Sequence, residues 1–140
     1  MAEKPQMPPP LPNGAYPYLT VAGGKAAVDF YSRAFGAEEL FRNATPDGER
    51  LMHSRMRINN SIVMLSDDFP EHRGNAPLPA PAGVMMHLQV DDADAWFDRA
   101  VAAGAQVRMP LADMFWGDRY GQLADPFGHV WSIAAPLKGA

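Results

Sequence analysis

FWGDRYGQLADPFGHVW, residues Phe115–Trp131, is the stretch whose reading decides the fold. Within it, Asp125-Pro126-Phe127-Gly128 has the residue order of a type I β-turn. Asp accepts hydrogen bonds at the first position, Pro presets φ at the second, and Gly relieves the fourth. Extended runs flank the turn, Tyr120 to Ala124 and His129 to Ala134, so the stretch predicts a hairpin near the C-terminus. Upstream, Phe115, Trp116, Asp118, Arg119 and Tyr120 set three aromatics and two charges around Gly117. That is too rich in functional groups for a spacer. The plainer alternative is a local Asp118–Arg119 contact beside aromatics that fill a core.

Working outward, the same order of elements occurs twice. Tyr16 to Val21 alternates as a strand, and Lys25 to Phe35 carries Ala27, Phe30, Tyr31 and Ala34 on one helical stripe that Gly36 ends. Glu39 to Asn43 reads as a short strand, and Arg50 to Ile58 with Ser61 to Ser66 as a hairpin about Asn59-Asn60. In the second half, Val84 to Val90 is a strand, and Asp91 or Asp92 caps a helix striped by Ala93, Phe97, Ala100 and Val101. Gly104 closes that helix, Gln106 to Met109 is a strand, and the hairpin follows. Leu19-Thr20-Val21 matches Leu88-Gln89-Val90, and Phe35-Gly36-Ala37 matches Ala103-Gly104-Ala105, a repeat of about 68 positions. The expectation is an α+β domain of two βαβββ modules over residues 15–137. Module 1 covers about 15–68, a proline-rich linker about 69–82, and module 2 about 83–137. Residues 1–14, with Pro5, Pro8, Pro9, Pro10 and Pro12, read as a disordered tail.

Composition narrows the function classes. The chain of 140 residues is 47% hydrophobic and 20% charged, as suits one globular domain. A net charge of −4 without a Lys/Arg cluster argues against nucleic acid. The absence of cysteine excludes disulfides, thiol catalysis and zinc–thiolate sites. With no apolar run of membrane length and no leader-like start, a soluble cytoplasmic protein is expected, without a membrane partner.

Alternation also assigns the face that each helix leaves uncovered. Met86, Leu88 and Val90 form the helix-side set, leaving Met85, His87 and Gln89 opposite. Met56, Ile58, Val63 and Leu65 leave His53, Arg55, Ile62, Met64 and Ser66. Tyr16, Tyr18, Thr20, Val130 and Ser132 complete that face, while Trp131 belongs to the core. Such a lining suits a small-molecule cleft, with Trp116, Asp118 and Gln122 as further ligand contacts. His53 and His87 are candidate general bases, and Arg55 and Arg119 candidate oxyanion stabilisers. Arg55 also suits a carboxylate or phosphate on a ligand. No nucleophile motif, phosphate loop or nucleotide fingerprint is present.

YLTVAGGKAAVDFYSRAFGAEE, PDGERLMHSRMRINNSIVMLSDD and FWGDRYGQLADPFGHVWSIAAP together resemble the PhnB-like branch of the vicinal oxygen chelate superfamily. That superfamily includes glyoxalase I, bleomycin-resistance proteins and extradiol dioxygenases. The resemblance implies paired modules curling into an open, barrel-like sheet around a cleft, usually as a homodimer. Metal-dependent members place a His, Gln or Glu ligand on the first and last strand of each module. The matching positions here are Tyr16 and Met85, and Met64 and Ser132. None suits a divalent transition ion, so no metal cofactor is expected. The alternatives are a binding protein, a metal-free enzyme, and a metal enzyme with ligands moved to His53, His87 and Gln89.

Overall fold

The computed structural model describes residues 8–138. Its elements run β1 (Tyr18–Val21), α1 (Gly24–Phe35), β2 (Glu38–Ala44), β3 (Leu51–Ile58) and β4 (Ser61–Asp67). A single 3-10 turn (Pro70–Arg73) follows, then β5 (Met86–Gln89), α2 (Ala93–Ala103), β6 (Gln106–Asp113), β7 (Asp118–Ala124) and β8 (Val130–Pro136). The strands form two separate four-stranded sheets, β1-β4-β3-β2 and β5-β8-β7-β6. The repeated order is therefore a repeated topology, in which the first and last strands of each half pair in parallel. A parallel pair needs a long crossover, and the helix and two intervening strands supply it. The chain divides into two compact units. Unit 1 holds Met1–Ser32 and Ala37–Leu78, and unit 2 holds Arg33–Gly36 and Pro79–Ala140.

In unit 1, Leu19, Val21, Met56, Ile58, Val63 and Leu65 are buried, as the period of two requires. Ala27, Phe30 and Tyr31 of α1 bury the expected stripe. Asn59 and Asn60 both take positive φ, 47° and 67°, the geometry that a two-residue hairpin turn demands. A buried carboxylate organises this unit. Asp67, at the end of β4, accepts from the backbone N–H groups of Gly23 and Gly24 through Oδ1 and of Leu51 through Oδ2, at 2.9, 2.9 and 2.7 Å. Position 24 must be glycine for this grip, since a Cβ there would lie 2.5 Å from Asp67 Oδ2.

In unit 2, Asp92 caps α2 by accepting from Ala95 N–H, and Gly104 closes it in the left-handed conformation. The rings of Phe35 and Trp131 lie 4.6 Å apart, and Arg99 Nε donates to the Ala34 carbonyl. Gly121 of β7 lets the strand approach α2, because a Cβ would meet the Phe97 ring at 2.8 Å. Trp131 is 1% exposed, in the core as expected.

Several boundaries differ from the sequence expectation. β1 begins at Tyr18 rather than Tyr16, because the first ladder contact in that region is Met64 N–H to the Pro17 carbonyl. β6 continues to Asp113 through Pro110, which an edge strand tolerates, with a register irregularity between Met109 and Ala112. β7 begins at Asp118, so half of the group-rich stretch lies inside a strand. The expected tail falls partly outside the described residues. Within them, residues 8–14 form no helix or strand, while Pro9 and Pro12 carbonyls accept from Arg55 and from the Tyr16 hydroxyl. Among the described residues no helix is long and apolar enough to cross a membrane.

Candidate functional site

Strand register builds the site in unit 2. His87 lies opposite Ser132, Ser132 opposite Gln122, and Gln122 opposite Met109. The next row on the same face is Gln89, Ala134, Tyr120 and Ala112. His87 Nδ1 is 2.7 Å from Ser132 Oγ, and His87 Nε2 is 2.9 Å from Gln89 Oε1. An amide oxygen only accepts, so Nε2 carries the proton and Nδ1 accepts from the Ser132 hydroxyl. Ser132 is 1% exposed, and its hydroxyl lies against the imidazole. The His87 ring lies nearly parallel to Tyr120, whose hydroxyl accepts from Gln122 Nε2 at 3.0 Å. Trp116 packs edge-on against Tyr120, and its indole N–H donates to Asp118 at 3.1 Å. Met85 sits exposed just ahead of β5.

Unit 1 carries a related face. Tyr18 pairs with Met64, Met64 with Arg55, and Arg55 with Phe41. His53 lies beside the Tyr18 and Phe41 rings. Burial, then the charge of Arg55, pushes the His53 imidazole below its ordinary value of 6.5, while burial pushes the Tyr18 phenol up. Both shifts favour one hydrogen bond, the Tyr18 hydroxyl donating to neutral His53 Nδ1 at 2.8 Å. The unfolded chain therefore binds a proton at His53 more readily than the folded chain. The stability this gives is complete above the unfolded value and is lost as pH falls through the folded value. His53→Gln, which keeps an acceptor for Tyr18, is expected to flatten the fall in urea midpoint between about pH 7 and pH 5. An unchanged pH slope would assign that fall to other groups.

The structure brings some expected residues together and separates others. His53 and Arg55 share unit 1 with Tyr18 and Met64, whereas His87, Gln89, Gln122, Ser132, Trp116 and Asp118 share unit 2. Arg119 is not on the His87 face. It opposes Ala135, on the helix side, and its guanidinium binds Asp94 at 3.0 Å and Asp113 at 3.1 Å. The Arg119 hydrogen bonds hold the Asp94 carboxyl below the usual carboxylate range. Arg119, Asp94 and Asp113 line a cavity of about 520 Å³ that also includes Asp92, Pro136 and Lys138. Arg119 thus braces the α2 N-terminus and lies on the opposite face of the sheet from His87. Tyr16 is likewise off the sheet, its hydroxyl donating to Pro12.

Register also corrects the comparison with metal-binding members. Met64 faces Tyr18 and Ser132 faces His87, so Tyr18 and His87 replace Tyr16 and Met85 as the first-strand positions. Sequence alignment on Val21 and Val90 could not see this pairing. In neither unit do the residues fit a divalent transition metal. Unit 1 offers a phenol and a thioether, with a guanidinium beside its histidine, and unit 2 offers one imidazole with a hydroxyl and an amide. Among the described residues no three His, Asp or Glu side chains converge as ligands. Tyr120 and Phe41 were missed as face residues, although alternation from Gln122 along β7 points to Tyr120.

A profile of the Glyoxalase/Bleomycin resistance protein/Dioxygenase superfamily matches residues 15–133. The chain is 48% identical over 126 residues to Uncharacterized protein Rv0887c of Mycobacterium tuberculosis, covering 87% of this chain and 74% of that protein. It is 30% identical over 137 residues to Protein YjdN of Escherichia coli, covering 84% and 91%. Among solved structures it is similar to a putative 3-demethylubiquinone-9 3-methyltransferase, PhnB protein, from Bacillus cereus. The TM-score is 0.70 at 18% identity, with 88% of this chain and 99% of that chain covered, a likeness of fold alone.

Proposed function

The chain belongs to the Glyoxalase/Bleomycin resistance protein/Dioxygenase superfamily, and we propose that it binds a hydroxylated aromatic small molecule on the unit 2 face without a divalent metal. The observation that supports this is the Gln89–His87–Ser132 chain of hydrogen bonds, bordered by the Tyr120 and Trp116 rings. A few placed polar groups among aromatic surface recognise a ligand hydroxyl and its ring together. The Gln89 amide is exposed and can yield its partner, so His87 Nε2–H can turn to a ligand oxygen while Ser132 keeps the ring in place.

A titration with 2-naphthol, followed through the His87 ring resonances, tests the reading. Saturable shifts that disappear in His87→Ala support it, and resonances that stay fixed throughout remove it. A second reading, proton transfer by His87 in a metal-free enzyme, is favoured by the partner on each ring nitrogen, since such partners fix a tautomer. It requires a His87→Gln protein that still binds its substrate and no longer turns it over.

Two further outcomes are expected. Elemental analysis of the purified protein finds far less than one zinc, nickel, iron or manganese per chain, and dialysis against EDTA leaves the melting temperature unchanged. An ion held at one per chain and lost in His87→Ala would replace this reading with a relocated metal centre. Trp116→Ala is expected to leave thermal unfolding close to wild type, because the side chain is half exposed. It should weaken 2-naphthol binding by roughly 1–3 kcal/mol, the scale of one aromatic contact. A large fall in melting temperature would instead make Trp116 a structural residue.

A further inference from the structure

Arg55 is the most unusual charged group of unit 1. It lies in the middle of β3, is 7% exposed, and its Nε–H has no hydrogen-bond partner among the described residues. Its Nη1 donates to the Pro9 carbonyl at 2.6 Å, and among the described residues no carboxylate pairs with it. A guanidinium removed from water and met by one neutral carbonyl is left with most of its charge uncompensated, an arrangement that costs stability unless something else completes it. By contrast Arg42, Arg50, Arg57 and Arg73 of unit 1 each pair with an acid.

The surroundings of Arg55 define what would complete it. Met64 and Phe41 are its register neighbours, Tyr18 follows in the same row, and His53 lies beside Tyr18 and Phe41. The floor is aromatic and apolar, and burial with the nearby charge of Arg55 pushes the His53 imidazole below its ordinary value. We propose that Arg55 is an oxyanion-binding site for the carboxylate or phosphate of a small aromatic molecule, covered in the free protein by the proline segment at Pro9. The planar edge formed by Nε–H and Nη2–H matches the two oxygens of such a group. The cover is suited to displacement. Pro9 holds Arg55 through Nη1 alone, so the segment rests there on one neutral hydrogen bond outside the fork and can swing aside while a charged oxygen, the stronger acceptor, takes Nε–H and Nη2–H. This site concerns unit 1 by itself and does not depend on the reading of unit 2.

The test follows the Arg55 Nε–H resonance in the full-length ¹⁵N-labelled protein, assigned by its loss in Arg55→Lys. Benzoate is expected to shift it saturably, with a dissociation constant on the order of millimolar. Benzamide, the same ring without the charge, leaves it in place, and phenyl phosphate shows which oxyanion the fork prefers. Arg55→Lys keeps the charge but not the fork, and should weaken benzoate binding, followed in that variant through the backbone amides of β3, about tenfold. Replacing Pro8, Pro9 and Pro10 by glycine loosens the cover and should tighten benzoate binding. No shift with either anion, or equal shifts with benzamide, overturns the site. Equal affinity in Arg55→Lys overturns the fork, and unchanged affinity in the glycine variant overturns the cover.

Discussion

Asp67→Ala is expected to destabilise unit 1 by about 3–5 kcal/mol, near the upper end for a single substitution. The carboxylate is 5% exposed and satisfies three backbone donors, two of them, Gly24 N–H and Leu51 N–H, in buried bonds. Removing it leaves those donors without partners in a space that water cannot readily fill, at about 1–3 kcal/mol each. Gly23 N–H is only partly buried and can be hydrated, so it adds less. The loss has an electrostatic part as well. The first turn of α1 contains no acidic residue, and Asp67 supplies the negative charge that the helix N-terminus favours. Asp67→Asn should be milder, because Oδ1 can be kept while the new amide faces Leu51 N–H donor to donor. Urea unfolding measures both. A lowered midpoint with unchanged slope marks lost stability, and a wild-type midpoint in Asp67→Ala would show that the three bonds carry little net energy.

The residues that organise each unit were only half visible in the sequence, and distance along the chain explains which half. Alternation is local, so Leu19, Val21, Val63 and Leu65 were assigned to the core from the strand that holds them. Helix ends are local too, and Asp92 and Gly104 cap α2 as their positions predict. Asn59-Asn60 declares its own turn. Asp67, by contrast, follows the predicted strand Ser61 to Ser66 with no partner in view, because its three donors come from the β1–α1 junction and the start of β3. Arg119 reads as part of a cluster with Asp118 and Trp116, yet its partner Asp94 sits 25 residues away at the head of α2. Arg55 and Pro9 are 46 residues apart, and nothing in a proline-rich tail announces a partner.

The candidate site shows the same division. The period of two places His87, Gln89 and Ser132 on one face, and the structure joins His87 to both Gln89 and Ser132. Which residue faces which across a parallel pair is a matter of register, and a single strand does not contain it. A slip of two positions keeps every side chain on its own face, so Tyr16 for Tyr18 and Met85 for His87 left the faces correct and the partners wrong. The consequence is chemical. His87, rather than a methionine, stands opposite Ser132, which turns an apolar patch into a hydrogen-bonded chain.

Asp125→Ala is the counterpart in unit 2, with an expected cost of about 3–4 kcal/mol. Asp125 opens the turn of the DPFG hairpin, where Oδ1 accepts from Phe127 N–H at 2.9 Å and His129 N–H at 3.0 Å. Its other oxygen reaches into the core and accepts from the Trp131 indole N–H at 2.9 Å in a buried bond. One side chain therefore sets the turn and orients the largest core residue, whose ring packs on Phe35. The turn amides are partly buried and can find water, so their loss contributes the smaller share. The indole N–H cannot move to solvent without disturbing the packing around a side chain that is 1% exposed. Asp125→Asn separates the contributions. With its amide oxygen at the turn, it presents N–H₂ to the indole N–H and should lose mainly the core bond. Trp131→Phe in the Asp125→Ala background removes the orphaned donor, so the double variant should lose less than the sum of the two single variants. Strict additivity of the two changes would mean that the indole bond is not where the stability lies.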